Sequence, residues 1–154
     1  MIQYCNRPFD NIEDHDETII DNHNSVVGVG DYFIHAGDFT LKSKHKAKEY
    51  LKRLNGKHIF LKGSHDYWMP RDSKMVWEKK IKGHFIVACH YCFRTWGKSH
   101  YDSWHLFGHS HGSLPSIGKS HDVGLDNNGY FPVSFDQIVK IMAKKPNNPN
   151  SLRR

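Results

Sequence analysis

The sequence predicts an α/β fold, and two observations carry that expectation. Short apolar runs rich in β-branched and aromatic residues alternate with segments of helical period, giving a β–α–β unit of ordinary length over residues 32–62. Four separate strand ends then run straight into aspartate or histidine: Gly37-Asp38, Gly63-Ser64-His65-Asp66, His90, and Gly108-His109-Ser110-His111. In open α/β sheets functional groups gather beyond the carboxyl ends of strands. Four such ends in one chain are a stronger signal than any one motif.

Taken in order, the chain opens with Arg7-Pro8-Phe9, and Asp10 is expected to cap a first helix that runs to about residue 24. Ile12, Ile19 and Ile20 give it an apolar face, and Asp10, Glu13, Asp14, Asp16 and Glu17 load its first turns with charge that the helix dipole favours. Asp14-His15-Asp16 cannot converge on one ion, because successive helical residues point about 100° apart. Gly28 and Gly30 break the chain before a strand at 32–36. A second helix is expected from Ser43 to Leu54, where Ala47, Tyr50, Leu51 and Leu54 share one face and lysines cover the other. Asn55-Gly56 ends it, and 57–62 reads as the next strand.

Residues 67–74 read as a loop. Two strands, 75–81 and 84–89, flank Lys82-Gly83 and predict a hairpin. A long aromatic and polar loop follows, over 90–103, and loops of that length in compact domains are usually functional. Trp104-His105-Leu106-Phe107 reads as a buried strand, with a further strand expected at 122–125. Ser134 and Gln137 form a capping box for a last helix, which Pro146 stops. One domain over 1–145 and a disordered tail over 146–154 are expected, with no internal repeat.

Composition narrows the function classes. The 154 residues are 38% hydrophobic and 25% charged, and no apolar run approaches the ~20 residues of a membrane helix. The N-terminus lacks a signal-peptide plan, and three cysteines without a framework suit a reducing compartment, so a cytoplasmic protein is expected. A formal charge of +6 and a pI near 9.2 favour anionic partners, although much of the excess clothes one helix and the tail.

Histidine and aspartate at converging strand ends point to a divalent metal. Asp38 is the acidic residue placed to bridge two ions, His90 and His109 hold one ion with it, and His111 serves the other. Cys89-x2-Cys92 has no second cysteine pair and so reads as packing rather than a zinc site. His35 reads as a buried, hydrogen-bonded strand residue, and His23, His45, His58, His84 and His121 as surface residues. In the long loop Arg94 and Tyr91 are candidates for substrate binding, Arg94 through its fork on phosphate oxygens and Tyr91, with Trp96, by stacking on a base or ring.

The ordered blocks Gly37-Asp38, Gly63-Ser64-His65-Asp66, His90 and Gly108-His109-Ser110-His111 resemble the calcineurin-like metallophosphoesterases, as small bacterial and phage members carry them. The segments Tyr4-Cys5-Asn6-Arg7-Pro8-Phe9, Trp104 to Gly112, and Asp122-Val123-Gly124-Leu125-Asp126 look like the same subgroup, so the resemblance spans roughly residues 2 to 140. It implies a four-layer α-β-β-α sandwich missing its first strand, because the family's Asp-x-His block is absent from this chain. A serine, Ser64, stands where the family has a metal-binding asparagine.

The implied activity is metal-dependent phosphodiester hydrolysis by attack of a metal-bound hydroxide. His65 is then the general acid, and Asp66 orients its ring. One or two ions of manganese, zinc, iron or nickel are expected, with a phosphate ester as substrate, nucleotides and nucleic acid included. No membrane partner is expected; a homo-oligomer is. The rival expectation is a degenerate member that binds metal or a partner without useful turnover, and a third is a nucleic-acid-binding module that uses the basic surface without chemistry. An in-frame Asp-x-His block upstream of Met1 would favour a late-assigned start.

Overall fold

The computed structural model describes residues 2–148. Among them the chain is a mixed α/β fold with three α-helices and two sheets: α1 (Ile12–Val26), β1 (Tyr32–His35), α2 (Lys44–Arg53), β2 (Lys57–Phe60), β3 (Val76–Ile81), β4 (His84–Cys89), β5 (Trp104–Phe107), β6 (Ser120–Asp122) and α3 (Phe135–Met142). β1 and β2 form a two-stranded parallel sheet with Ile34 opposite Ile59. The second sheet runs β3-β4-β5-β6; its first pair is antiparallel and the other two are parallel.

The β3–β4 hairpin turns on Lys82 and Gly83, both at positive φ. That is the turn geometry matching the twist of paired strands. Ile138 and Met142 of α3 pack with Ile86 and Trp104, so this helix covers one face of the larger sheet. The Ser134–Gln137 capping box sets its start as the sequence indicates. Beside the smaller sheet, His23 of α1 packs edge-on against Phe33 of β1 at 4.7 Å between ring centres. α1 and α2 are tied by Arg53 donating to Glu17 and by Tyr50 donating to Asp16.

Several expectations are corrected. Asn11, not Asp10, caps α1, accepting from the N–H of Asp14, and the helix runs on to Val26. β6 lies at Ser120–Asp122 rather than 122–125, where Val123 and a 3-10 turn at Leu125–Asn127 follow instead. His23 is 4% exposed because α1 presents it inward, where Nε2 meets the carbonyl of Asn55. His58 turns to His35, His84 stacks on Trp104, and the Nε2 of His121 is buried without a partner, so these three are not free surface groups. His45 is exposed as expected, and His35 is hydrogen-bonded through Nε2 to His58. Burial, with the charges of His58 and His23 adding to it, holds the His35 imidazole well below its ordinary value.

Within the segment expected to be a disordered tail, 146–154, Asn148 is instead buried and bonds Ser99 and Arg94 through its backbone and side chain. The remainder of that segment, 149–154, lies outside the described residues. No helix among the described residues is long and apolar enough to cross a membrane.

Candidate metal centre

The ends of β1, β4 and β5 meet at one point. β1 hands over to Ala36-Gly37-Asp38, whose Gly37 stands at φ +93 where β4 comes close: a Cβ there would lie 2.6 Å from His90 Nδ1. Asp38 is itself left-handed, at φ 55. Gly63 allows the second crossing, because a Cβ on it would lie 2.5 Å from the backbone nitrogen of Asp38.

Asp66 holds these turns together. Its carboxylate accepts the backbone N–H groups of Asp38 (2.7 Å), Phe39 (2.9 Å) and Gly63 (2.8 Å), and the indole N–H of Trp68 (2.9 Å). Four donors fill the four lone-pair sites of a carboxylate. Asp66 is 1% exposed and does not orient the His65 ring, which corrects the expected role. The neighbouring His65 points outward; its backbone N–H donates to Asp38 Oδ1 at 2.7 Å, and its exposed ring meets the edge of Tyr67.

Three of the candidate ligands are brought together. His90 is buried and donates from Nδ1 to the carbonyl of Ala36 at 2.9 Å, which turns Nε2 into the site. There Nε2 lies 3.1 Å from Asp38 Oδ2 and 3.1 Å from His109 Nδ1. One donor atom from each of Asp38, His90 and His109 lies within 4.8 Å of the other two. Burial alone would raise the Asp38 carboxyl, but hydrogen bonds from His90, the His65 N–H and Ser64, with the charge of His90, bring it down to about 2. Burial likewise opposes the charged form of His90, and its bonds to Asp38 and Ala36 outweigh it, so His90 is raised. Ser64 donates to Asp38 Oδ2 at 3.1 Å.

His111 does not join Asp38. Its Nδ1 donates to Asp126 Oδ2 at 2.7 Å, and Cys5 completes a second group of donors, again within 4.8 Å of one another. The loop between His109 and His111 is fixed by Asp122, which accepts from Ser110 Oγ and the N–H of Gly112, and this directs His111 away from Asp38.

Arg7 grips Asp126 through Nε (2.7 Å) and Nη2 (2.8 Å), and its Nη1 donates to His15 Nε2. His15 in turn donates from Nδ1 to Asp16. Burial opposes ionisation of Asp126, and the bonds from Arg7 and His111 prevail, leaving it lowered. Burial and the Asp126 charge raise the Cys5 thiol, while Arg7 pulls the other way. Both donor groups border one cleft of about 340 Å³, which Asp38, His65, His90, His109, His111 and Asp126 line.

Tyr91 stands edge-on to His90 and His109, 4.9 Å from each. Arg94 is exposed and does not line the cleft, and Trp96 is buried with its indole on Ser103, so neither reaches it, contrary to the expectation from sequence. Cys5, Arg7 and Asp126 have no role in the sequence reading, although they lie in two of the segments that carry the resemblance.

No family profile matches the chain. Its fold is similar to that of the protein of unknown function AQ665 from Aquifex aeolicus, with a TM-score of 0.66 and 21% identity over 91% of this chain and 90% of that one. At that identity the likeness speaks for the fold alone. The chain is 35% identical over 154 residues to the uncharacterized protein MJ1445 of Methanocaldococcus jannaschii, covering 94% of this chain and 84% of that protein, and it belongs to the same family.

Proposed function

We propose that this chain is a metal-dependent phosphoesterase acting on phosphodiesters. The observation that carries the reading is the convergence of Asp38, His90 and His109, from the ends of three strands, on a cleft that also receives His65. The donor set fits a divalent transition metal: one carboxylate and two imidazoles suit manganese, zinc, iron or nickel. Three protein ligands leave coordination open, as catalytic sites require. The bond from His90 Nδ1 to Ala36 is the kind of outer contact that fixes a metal-binding tautomer. On this reading the two sheets and their covering helices form an α-β-β-α sandwich with the site at one edge.

An ion held by Asp38, His90 and His109 would supply Lewis acidity toward a phosphate oxygen and a nucleophile at neutral pH. The chain's own residues do the rest. His65, exposed at the lip of the cleft, carries the proton that the departing alkoxide oxygen takes up. Ser64 and the His65 N–H hold Asp38 by hydrogen bonds to its two oxygens. Tyr91 walls the imidazoles.

A second reading, a metal-binding protein without useful turnover, is favoured by one observation: His111 is engaged with Asp126 and not with Asp38. Hydrolysis of bis-p-nitrophenyl phosphate with added manganese separates the two. Turnover that disappears in Asp38→Ala supports the phosphoesterase. Turnover equal to wild type in that variant would remove the site from the reaction, and no turnover in either protein favours the second reading.

A further inference from the structure

We propose that Cys5, His111 and Asp126 form a second cation site, chemically distinct from the Asp38 centre and suited to a thiophilic ion such as zinc. The three residues come from three separate segments, Cys5 from the opposite end of the chain to the other two, and each offers one donor atom within 4.8 Å of the others. Zinc–sulfur and zinc–nitrogen bonds of about 2.3 and 2.0 Å put the tetrahedral ligand atoms of this set roughly 3.3–3.5 Å apart. A small rearrangement, in which the 2.7 Å His111–Asp126 pair opens, therefore closes the group on one ion. A thiolate, an imidazole and a carboxylate are all zinc donors, and the thiolate separates this set from the nitrogen and oxygen donors of the Asp38 centre.

The surroundings are arranged before any ion arrives. Arg7 fixes the plane of Asp126 with two parallel bonds and is itself steadied by His15. Asp122 pins the loop on both sides of His111, through Ser110 and Gly112. His111 holds φ 45, a conformation that needs such support in a residue with a side chain. Outer contacts of this kind orient metal ligands. When the ion binds, Cys5 releases its thiol proton to solvent, and His111 gives up its bond to Asp126, its ring proton passing through solvent from Nδ1 to Nε2 so that the lone pair of Nδ1 faces the ion. The charges remain in hand: thiolate and carboxylate offset the ion, leaving the guanidinium as the one uncompensated charge.

Cobalt titration of the reduced full chain tests this without reference to turnover. A thiolate-to-cobalt charge-transfer band in the near ultraviolet, saturating at one ion per chain and removed by zinc, is expected. Cys5→Ser should abolish the band and weaken zinc binding at this site by more than the roughly 10–100-fold that loss of an outer contact brings. Cys92→Ser and Asp38→Ala should both keep it. A wild-type protein without the band at saturating cobalt, or a band that survives Cys5→Ser, overturns the proposal. The phosphoesterase reading fails separately, through hydrolysis that is indifferent to Asp38→Ala.

Discussion

Asp66→Ala is the sharpest test of how the centre is built. The substitution removes the acceptor of three backbone N–H groups, those of Asp38, Phe39 and Gly63, and of the Trp68 indole. At 1% exposure the carboxylate leaves donors that water reaches only through the small space it vacates. A buried donor left unpaired costs about 1–3 kcal/mol, so four give a ceiling of roughly 4–12. The donors cluster and relax together, which brings the expected loss to about 3–5 kcal/mol, the range for breaking a buried charge network.

For a chain of this size that lowers the melting temperature by roughly 6–20 °C. Urea unfolding followed by far-ultraviolet circular dichroism measures the free-energy loss, and a thermal scan the shift. Asp66→Asn should recover only part of the loss, because its amide offers one oxygen and turns two further donors toward donors. Zinc affinity at the Asp38 centre should fall in both variants, since Asp38 loses the bond to its backbone. If Asp66 served instead to orient His65, its loss would reshape the pH dependence of turnover and spare stability. A stability change under about 1 kcal/mol with unaltered zinc affinity would refute the reasoning.

Two further outcomes follow from named contacts. His65→Ala should keep its metal yet slow ~10²–10⁴-fold on esters with poor leaving groups. p-Nitrophenyl esters should suffer least, and an equal loss on both kinds of substrate would take His65 out of the acid role. Asp16 gives the pH prediction: burial opposes its charge, but bonds from His15 and Tyr50 outweigh it and lower its pKa in the folded chain. A lowered native value means that its contribution is complete above the ordinary aspartate pKa near 4 and is lost as pH falls through the lower one. The stability gap between wild type and Asp16→Asn should therefore be widest near neutrality and shrink in acid; a gap constant from pH 7 to 3 would show that Asp16 does not titrate with folding.

What could be read from the chain was mostly local. The hairpin announces itself through Lys82-Gly83, the last helix through Ser134 and Gln137, and the four strand ends that bear aspartate or histidine through the apolar runs before them. What escaped depends on distant segments. Ser120–Asp122 has no apolar run to mark it and becomes a strand because β5 pairs with it. His23 passed for a surface residue because an imidazole carries no clear preference, yet it lies eight residues from His15 on the inward side of α1, with Ile20 between them. The inward turn of Asp66 is set by three backbone donors from two loops, which no spacing of side chains reveals. Arg7 and Asp126 are 119 residues apart, and their ion pair exists only once the fold has brought both segments to the cleft.

Three of the four candidate ligands predicted from the sequence, Asp38, His109 and His111, stand at φ 55, 63 and 45. For residues with a Cβ that conformation costs roughly 1–2 kcal/mol each, so together they hold about 3–6 kcal/mol against a net stability of ordinary size, ~5–15 kcal/mol. A lineage selected for stability alone would drift toward glycine or asparagine at all three. These positions therefore act as a historical gauge: where descendants of this chain no longer need the site, residues 38, 109 and 111 are where relaxed selection should first leave a mark, earlier than in the apolar core around Ile86 and Met142.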